Sequence, residues 1–574
     1  MESTITNLTE RIRAARGELP ADLVFRGGEF FNVFAGTVET ADIAVHKGFI
    51  IGVGTGYQGL EEIDVSHKTI TPGLIDGHLH IESSMMLPSR LAQAVMPHGT
   101  TTIIADPHEI ANVMGMDGIR LMLEESRDIP LDIFFMAPSC VPATHLETSG
   151  AEIKAEDLIL LKDEVRVLGL AEMMNFPGVL TCQPGVLEKI KQFADQIIDG
   201  HAPGLTGHDL QAYITAGIRS DHETVKLEEG LEKLSLGMML MIREGSTAKN
   251  LDDLLPLVNK RNEHRCCFVS DDLHPLEIAE RGHLNHMIVR AISRGLDPLS
   301  AVKMASWNPA RYFGLKDRGA VAPGYRADLI VLNDLHKFNI DQVYKRGQKI
   351  ADQGKFTGDQ AQGTVSYLSS MNLAPYSIEA FRIPYRDRKA RIIQIIPGQI
   401  TTKAVYEKVP HRDGLVKTDI QSDTLKLLVA ERHKRTGNIA VGLVRGFGLK
   451  SGALATSVAH DSHNIIALGV YDQDLFRAVQ EVEAMDGGMC VVIHGELAAR
   501  VPLPVGGLMS EEPFHKLLSQ MEGLKKAKAL TGCFLPEPFM CLSFLALPVI
   551  PELKLTDRGL VDVNRFEIVP LFLE

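Results

Sequence analysis

Between residues 71 and 272 the chain repeats one pattern eight times: a short apolar run, then a stretch whose apolar positions recur at helical spacing. The runs are TPGLIDGHLH, TTIIADPHE, LDIFFMAPS, VRVLGLAE, QIIDGHAP, AGIRSDHE, GMMLMIREG and RCCFVSDD. Amphipathic stretches such as RLAQAVMPHG, GIRLMLEESR, VLEKIKQFAD, TVKLEEGLEKL and LDDLLPLVNKRNEH are interleaved with them. Such alternation is the pattern of βα units feeding a parallel sheet. Eight units over about 250 residues are what a (β/α)8 TIM barrel requires. The fold class is therefore expected to be α/β, with the barrel spanning residues 72–318.

At 574 residues the chain is too long for one hydrophobic core. From Asp22 to Gly54, short alternating runs broken by Gly, Asn and Asp read as a β-meander, and the same texture returns from Gly319 to Lys349. The two pieces are expected to form one small β-sandwich domain split by the barrel. Its first part is residues 1–71, which open with a short charged helix, and its second part is residues 319–360. GTVSYLSSMNLAPYS then reads as a linker, and residues 361–574 as a C-terminal α+β domain.

Several function classes are excluded by composition. A net charge of −14 argues against nucleic acid, whose affinity rests on Lys and Arg neutralising phosphates. The seven cysteines show neither a disulfide framework nor CxxC spacing, which suits a reducing cytosol. The N-terminus lacks the apolar core of a signal peptide, and no uncharged apolar stretch is long enough to span a bilayer, so a cytoplasmic protein is expected. GVGTGYQG and VRGFGLKSG carry neither a P-loop GK[ST] nor a strand-then-helix dinucleotide context. The absence of CxxC also excludes the zinc deaminases with an HxE and PCxxC signature.

Six residues at the ends of five of the eight runs are of types that bind divalent metal: His78, His80, Glu172, His201, His222 and Asp271. His78 and His80 are two apart, so a strand puts both imidazoles on one face. A lone histidine at a strand end is more often an ordinary surface or core residue. Ligand types at equivalent positions of several units, all at the end where barrel chemistry sits, form a joint pattern that is far more specific. Catalytic zinc sites typically use three protein ligands, so six imply two divalent ions, with Glu172 the natural bridge.

On these residues the chain resembles the amidohydrolase superfamily of metal-dependent hydrolases. Within it, HLHIESSMM, DPHEIANVMG, GLAEMMNFPGV, DGHAPGL and SDDLHP, with VAHDSHNIIALG, PLPVGGLMS and LPVIPELKLT near the C-terminus, closely resemble the bacterial adenine deaminases over nearly the whole chain. That resemblance implies hydrolysis of adenine, a small purine, to hypoxanthine and ammonia at a binuclear centre of Mn(II) or Fe(II), with Zn(II) the alternative. The six ligands carry over residue by residue, and Glu172 stands where many relatives bridge the metals with a carboxylated lysine. A hydroxide held between two Lewis acids would attack C6, with a carboxylate moving the proton toward ring nitrogen and amine. Asp271, directly after CCFVS, is the expected shuttle, although strand alternation allows only one of Asp271 and Asp272 to face the metals.

Other polar groups admit two readings each. Asp106, His108 and Glu109 could contact the purine or hold a further metal, or Asp106 and Glu109 could cap the helix that follows. Glu82, Ser83 and Ser84 could line the pocket or cap a helix. The sequence His460, Asp461, Ser462, His463 and Asn464 could close the active site from above, bind another metal, or form a self-satisfied turn. A nucleophilic triad is rejected there, because triads assemble from positions distant in sequence. A homo-oligomer is the expected assembly. The rival functions are deamination of a modified adenine such as 6-methyladenine, or action on another cyclic amidine or amide, and a non-catalytic barrel scaffold, whose expected sign is a missing ligand.

Overall fold

The computed structural model describes residues 2–246, 248–358, 367, 369–397 and 399–573. Residues 363–366 and 368 of the expected linker, and the boundary expected near residue 360, lie outside the described residues.

Eight parallel strands form the barrel: β1 (Leu74–Leu79), β2 (Thr100–Ala105), β3 (Asp132–Ala137), β4 (Val167–Met173), β5 (Ile197–Gly200), β6 (Ser220–Asp221), β7 (Met239–Arg243) and β8 (Cys266–Val269). Ladders run through β1 to β5 and through β6 to β8. Backbone hydrogen bonds join the two arcs: Arg219 N–H donates to the Ile198 carbonyl at 3.1 Å, and Asp271 N–H to the His78 carbonyl at 3.0 Å. The period of two sorts the strand side chains. Ile104, Met239, Met241, Cys267 and Val269 fill the barrel interior, whereas their neighbours Leu240, Ile242, Cys266 and Phe268 pack outward against the helices.

Local breakers set the helix ends. RLAQAVMPHG is α-helical within Pro88–Val95 and tightens at Met96–His98 before Gly99, whose φ of 88° reverses the chain. LDDLLPLVNKRNEH differs from expectation, being α-helical only over Leu251–Leu254. Pro256 has no N–H to continue the ladder, and the chain passes through one tight turn, Leu255–Leu257, into extended backbone.

Strands on both sides of the barrel share one nine-stranded sheet, in which Thr69–Pro72 pairs antiparallel with Leu329–Asp334. Phe25, Ile43, Ile70, Val331 and Tyr344 pack on one another there. Farther on, an eight-stranded sheet is covered on one face by the helix Asp472–Ala484. Its other face, including Leu427, Val429 and Ile466, joins the apolar cluster that contains Ile110 and Leu91 of the barrel helices. Within this sheet, Ala453–Thr456 and Ile465–Gly469 are antiparallel partners, so residues 457–464 form a hairpin loop. That loop reaches the mouth of the barrel.

Candidate metal centre

His78 lies within β1 and His80 just beyond it, Glu172 within β4, His201 after β5, His222 after β6 and Asp271 after β8. The structure brings all six together. Glu172 Oε1 lies 3.4 Å from His80 Nε2, while Oε2 lies 2.5 Å from His201 Nδ1 and 3.2 Å from His222 Nε2. Asp271 Oδ1 is 3.4 Å from His80 Nε2 and 3.7 Å from His78 Nε2. The donor atoms of His78, His222 and Asp271 lie within 4.8 Å of one another, as do those of Glu172, His201 and His222. One carboxylate thus turns an oxygen toward each half of the cluster.

The donor set fits divalent ions. His80 Nδ1 lies 3.1 Å from the Asp106 carbonyl, which can only accept, so Nδ1 carries a proton and Nε2 is the nitrogen turned toward the site of a cation. His78 Nε2 is buried with no hydrogen-bond partner in the protein. Burial also pushes the His78 imidazole well below its usual range, which keeps that ring neutral. Burial alone would raise the Glu172 carboxyl, but His201 and His222 outweigh it and hold the group ionised. Conversely, burial disfavours His222 as a cation, yet Glu172 lifts it to about 9. Positive charge is favoured at this centre.

The alternation expected of Asp271 and Asp272 does not apply. Both lie beyond the end of β8, and Asp271 adopts φ of 54°, so the extended geometry behind a period of two is lost. Asp271 faces the histidines, and Asp272 accepts from Ser83 Oγ while remaining close enough to group with His80 and Asp271. Arg243, at the end of β7, donates from Nη1 to Asp271 Oδ2 at 2.8 Å and from Nη2 to Glu223 Oε2 at 2.8 Å. Sequence reasoning missed both Arg243 and Glu223. Their signal was available, since each charged residue closes an apolar run, as the six ligands do.

Asp106, His108 and Glu109 adjoin the centre. Asp106 Oδ1 accepts from His108 N–H at 3.0 Å, so it does cap the helix His108–Glu125. His108 Nδ1 stands 3.6 Å from Glu172 Oε1. Glu109 instead faces the C-terminal domain: Oε1 is 2.6 Å from His460 Nδ1, and Oε2 accepts from His463 Nε2. Glu82 Oε1 accepts from Ile110 N–H at 3.0 Å, serving the first turn of that same helix, and its Oε2 is unpartnered. Beside these groups a cleft of about 900 Å³ is lined by Met174 and Asn175, close after Glu172, and by Glu147 and Arg558.

Comparison with known proteins gives two family matches. The model described as the amidohydrolase family matches residues 69–350, and that described as the adenine deaminase C-terminal domain matches residues 399–567. An adenine deaminase of Dehalococcoides mccartyi is 49% identical over 98% of this chain and 99% of its own. One of Methanothrix thermoacetophila is 48% identical over 99% of this chain and 100% of its own. Among solved structures, a D-aminoacylase is 18% identical with a TM-score of 0.44, covering 60% of this chain and 99% of that one. No helix among the described residues is long and apolar enough to cross a membrane.

Proposed function

The chain belongs to the adenine deaminases of the amidohydrolase family, and from that membership we propose how its own residues carry out the reaction. It is a hydrolase that converts adenine to hypoxanthine and ammonia. Its family is metal-dependent, and the paired groups of ligand atoms suit a binuclear site.

We assign His78, His80, Glu172, His201, His222 and Asp271 as the ligands, with Glu172 between the two ions. Bound there, divalent ions would supply Lewis acidity that lowers the pKa of water to near neutral. Mixed imidazole and carboxylate donors suit Mn(II) or Fe(II), with Zn(II) the alternative. The Asp106 carbonyl fixes the His80 tautomer, and Ser139 Oγ donates to the Glu172 carbonyl at 2.5 Å, holding the strand end that carries the bridge.

Asp271 is assigned the proton transfer. Its Oδ1 faces the histidines while Arg243 holds Oδ2, so one oxygen is committed and the other is presented to the reacting water. Burial raises this carboxyl, but His80 and Arg243 outweigh burial and keep it an acceptor. It can take the proton of water and deliver it to ring nitrogen or the departing amine. His108, Asp106 and Glu82 line the side where the purine would sit: His108 Nδ1 and Asp106 Oδ2 pair at 3.1 Å, and Glu82 Oε2 has no hydrogen-bond partner. The working location is the cytoplasm, and the expected assembly is a homo-oligomer.

The observation that carries this reading is the division of the Glu172 oxygens between His80 on one side and His201 with His222 on the other. Its test is adenine turnover by chelator-treated protein refilled stepwise with Mn(II). Hypoxanthine formation should plateau near two equivalents. A plateau near one discards the two-ion arrangement, and no turnover at any loading, with release of methylamine from 6-methyladenine, transfers the enzyme to modified purines.

A further inference from the structure

Loop 457–464 of the C-terminal domain is seated on the barrel by hydrogen bonds at both of its histidines. His463 Nδ1 accepts from Ala459 N–H at 3.2 Å, which leaves the ring proton on Nε2, and that proton goes to Glu109. With Nδ1 taken by the Ala459 N–H and Nε2 by Glu109, both ring nitrogens of His463 are used within the protein, and Glu109, His460 and His463 act as a clamp. Arg432, His433 and Asn464 hold the same loop: Arg432 Nε donates to the His463 carbonyl, His433 Nε2 to the Ser462 carbonyl at 2.7 Å, and Asn464 Nδ2 to the Thr148 carbonyl at 2.8 Å. The polar groups of the loop are largely used.

Asp461 is the exception. It is 3% exposed, its Oδ2 has no hydrogen-bond partner, and its Oδ1 is 3.9 Å from the nearest imidazole nitrogen, His460 Nδ1. Buried acceptors are costly when unpaired, so a donor is expected to arrive. Position indicates its source. On the metal side its neighbour His460 lies 2.6 Å from Glu109 Oε1, itself 3.5 Å from His108 Nε2, and on the other side Asn464 of the same loop holds Thr148, which lines the 900 Å³ cleft with Glu147. It therefore stands between the cleft and the centre.

We propose that Asp461 is a specificity-determining residue that accepts the ring N–H of the purine, so that a base substituted at N9 is rejected. This rests on the adenine-hydrolysing reading above. Adenine has one ring N–H, on its five-membered ring and away from C6. With C6 at the metal centre, that edge is presented to the loop. A nucleoside or a 9-methyl base lacks the proton and leaves the buried carboxylate unpaired, and a site built around such a hydrogen bond discriminates strongly.

The test compares wild type with Asp461→Asn, reading kcat and KM for adenine and the inhibition constant of 9-methyladenine, with metal content measured alongside. Wild type should bind 9-methyladenine at least about 10-fold more weakly than adenine. Asp461→Asn, whose amide oxygen still accepts but without the charge, should raise the adenine KM about 10-fold, with kcat within about threefold and the 9-methyladenine constant unchanged. An unchanged KM overturns the proposal, as does an equal weakening of both ligands, which is what general damage to the pocket produces. If the variant does not fold, equal affinity of wild type for the two bases overturns it just as well. Wild type that consumes no adenine instead overturns the functional reading.

Discussion

His80 and His463 are both buried at the barrel mouth, each beside a carboxylate, yet they serve opposite ends. His80 gives its Nδ1 proton to the Asp106 carbonyl and turns Nε2 toward Glu172 and Asp271. His463 accepts Ala459 N–H on Nδ1 and spends its Nε2 proton on Glu109. Identical residue types thus face a candidate cation site in one place and build a hydrogen-bond clamp in the other. Which nitrogen the backbone engages decides between them.

The contrast breaks most sharply at Glu172. Glu172→Ala should lower kcat/KM by about 10³-fold or more and reduce bound Mn(II) measured by elemental analysis. If two equivalents remain bound at full affinity, the bridge is misassigned. Asp271→Asn should cost about 10²- to 10⁴-fold in kcat, the range for a general acid–base group, with adenine KM little changed. On the clamp side, His463→Ala should leave the metal content at the wild-type value while lowering stability by about 1–3 kcal/mol in urea unfolding, because Glu109 loses a buried partner. Loss of an ion in this variant would erase the distinction between the two clusters.

The smallest expected effect depends on pH. Burial disfavours the His460 cation, but Glu109 raises this imidazole to about 9. A histidine raised on folding stabilises fully below its unfolded value near 6.5, and the contribution is lost as pH rises through 9. The difference in Tm between wild type and His460→Gln should therefore be largest below pH 6.5 and shrink toward pH 9. A difference that grows across that window contradicts the ion pair.

Much of the barrel was legible because it is periodic. That Met239 and Met241 share one face and Leu240 and Ile242 the other follows from alternation, while closure of the barrel makes the first face the interior. The failures have local causes that the pattern hides. Pro256 cut short a helix whose apolar spacing looked continuous, and the left-handed backbone at Asp271 removed the alternation used to separate it from Asp272. Arg243 was overlooked because a cation at a run end does not suit a metal, and it acts instead by orienting Asp271 from behind, braced by Glu223.

By itself the sequence determined the eightfold alternation, the HxH spacing at His78 and His80, and the imidazole and carboxylate at the ends of separate runs. These are properties of neighbouring residues, and strand and helix periods turn them directly into faces. Tertiary structure alone decided that Glu109 meets His463 across 354 positions, that the Glu172 oxygens divide between two groups of histidines, and that Asp461 is left unpartnered among saturated neighbours. Proton placement on an imidazole, and the satisfaction of a buried carboxylate, depend on which distant backbone and side-chain groups reach it once the barrel has closed and the C-terminal loop has seated.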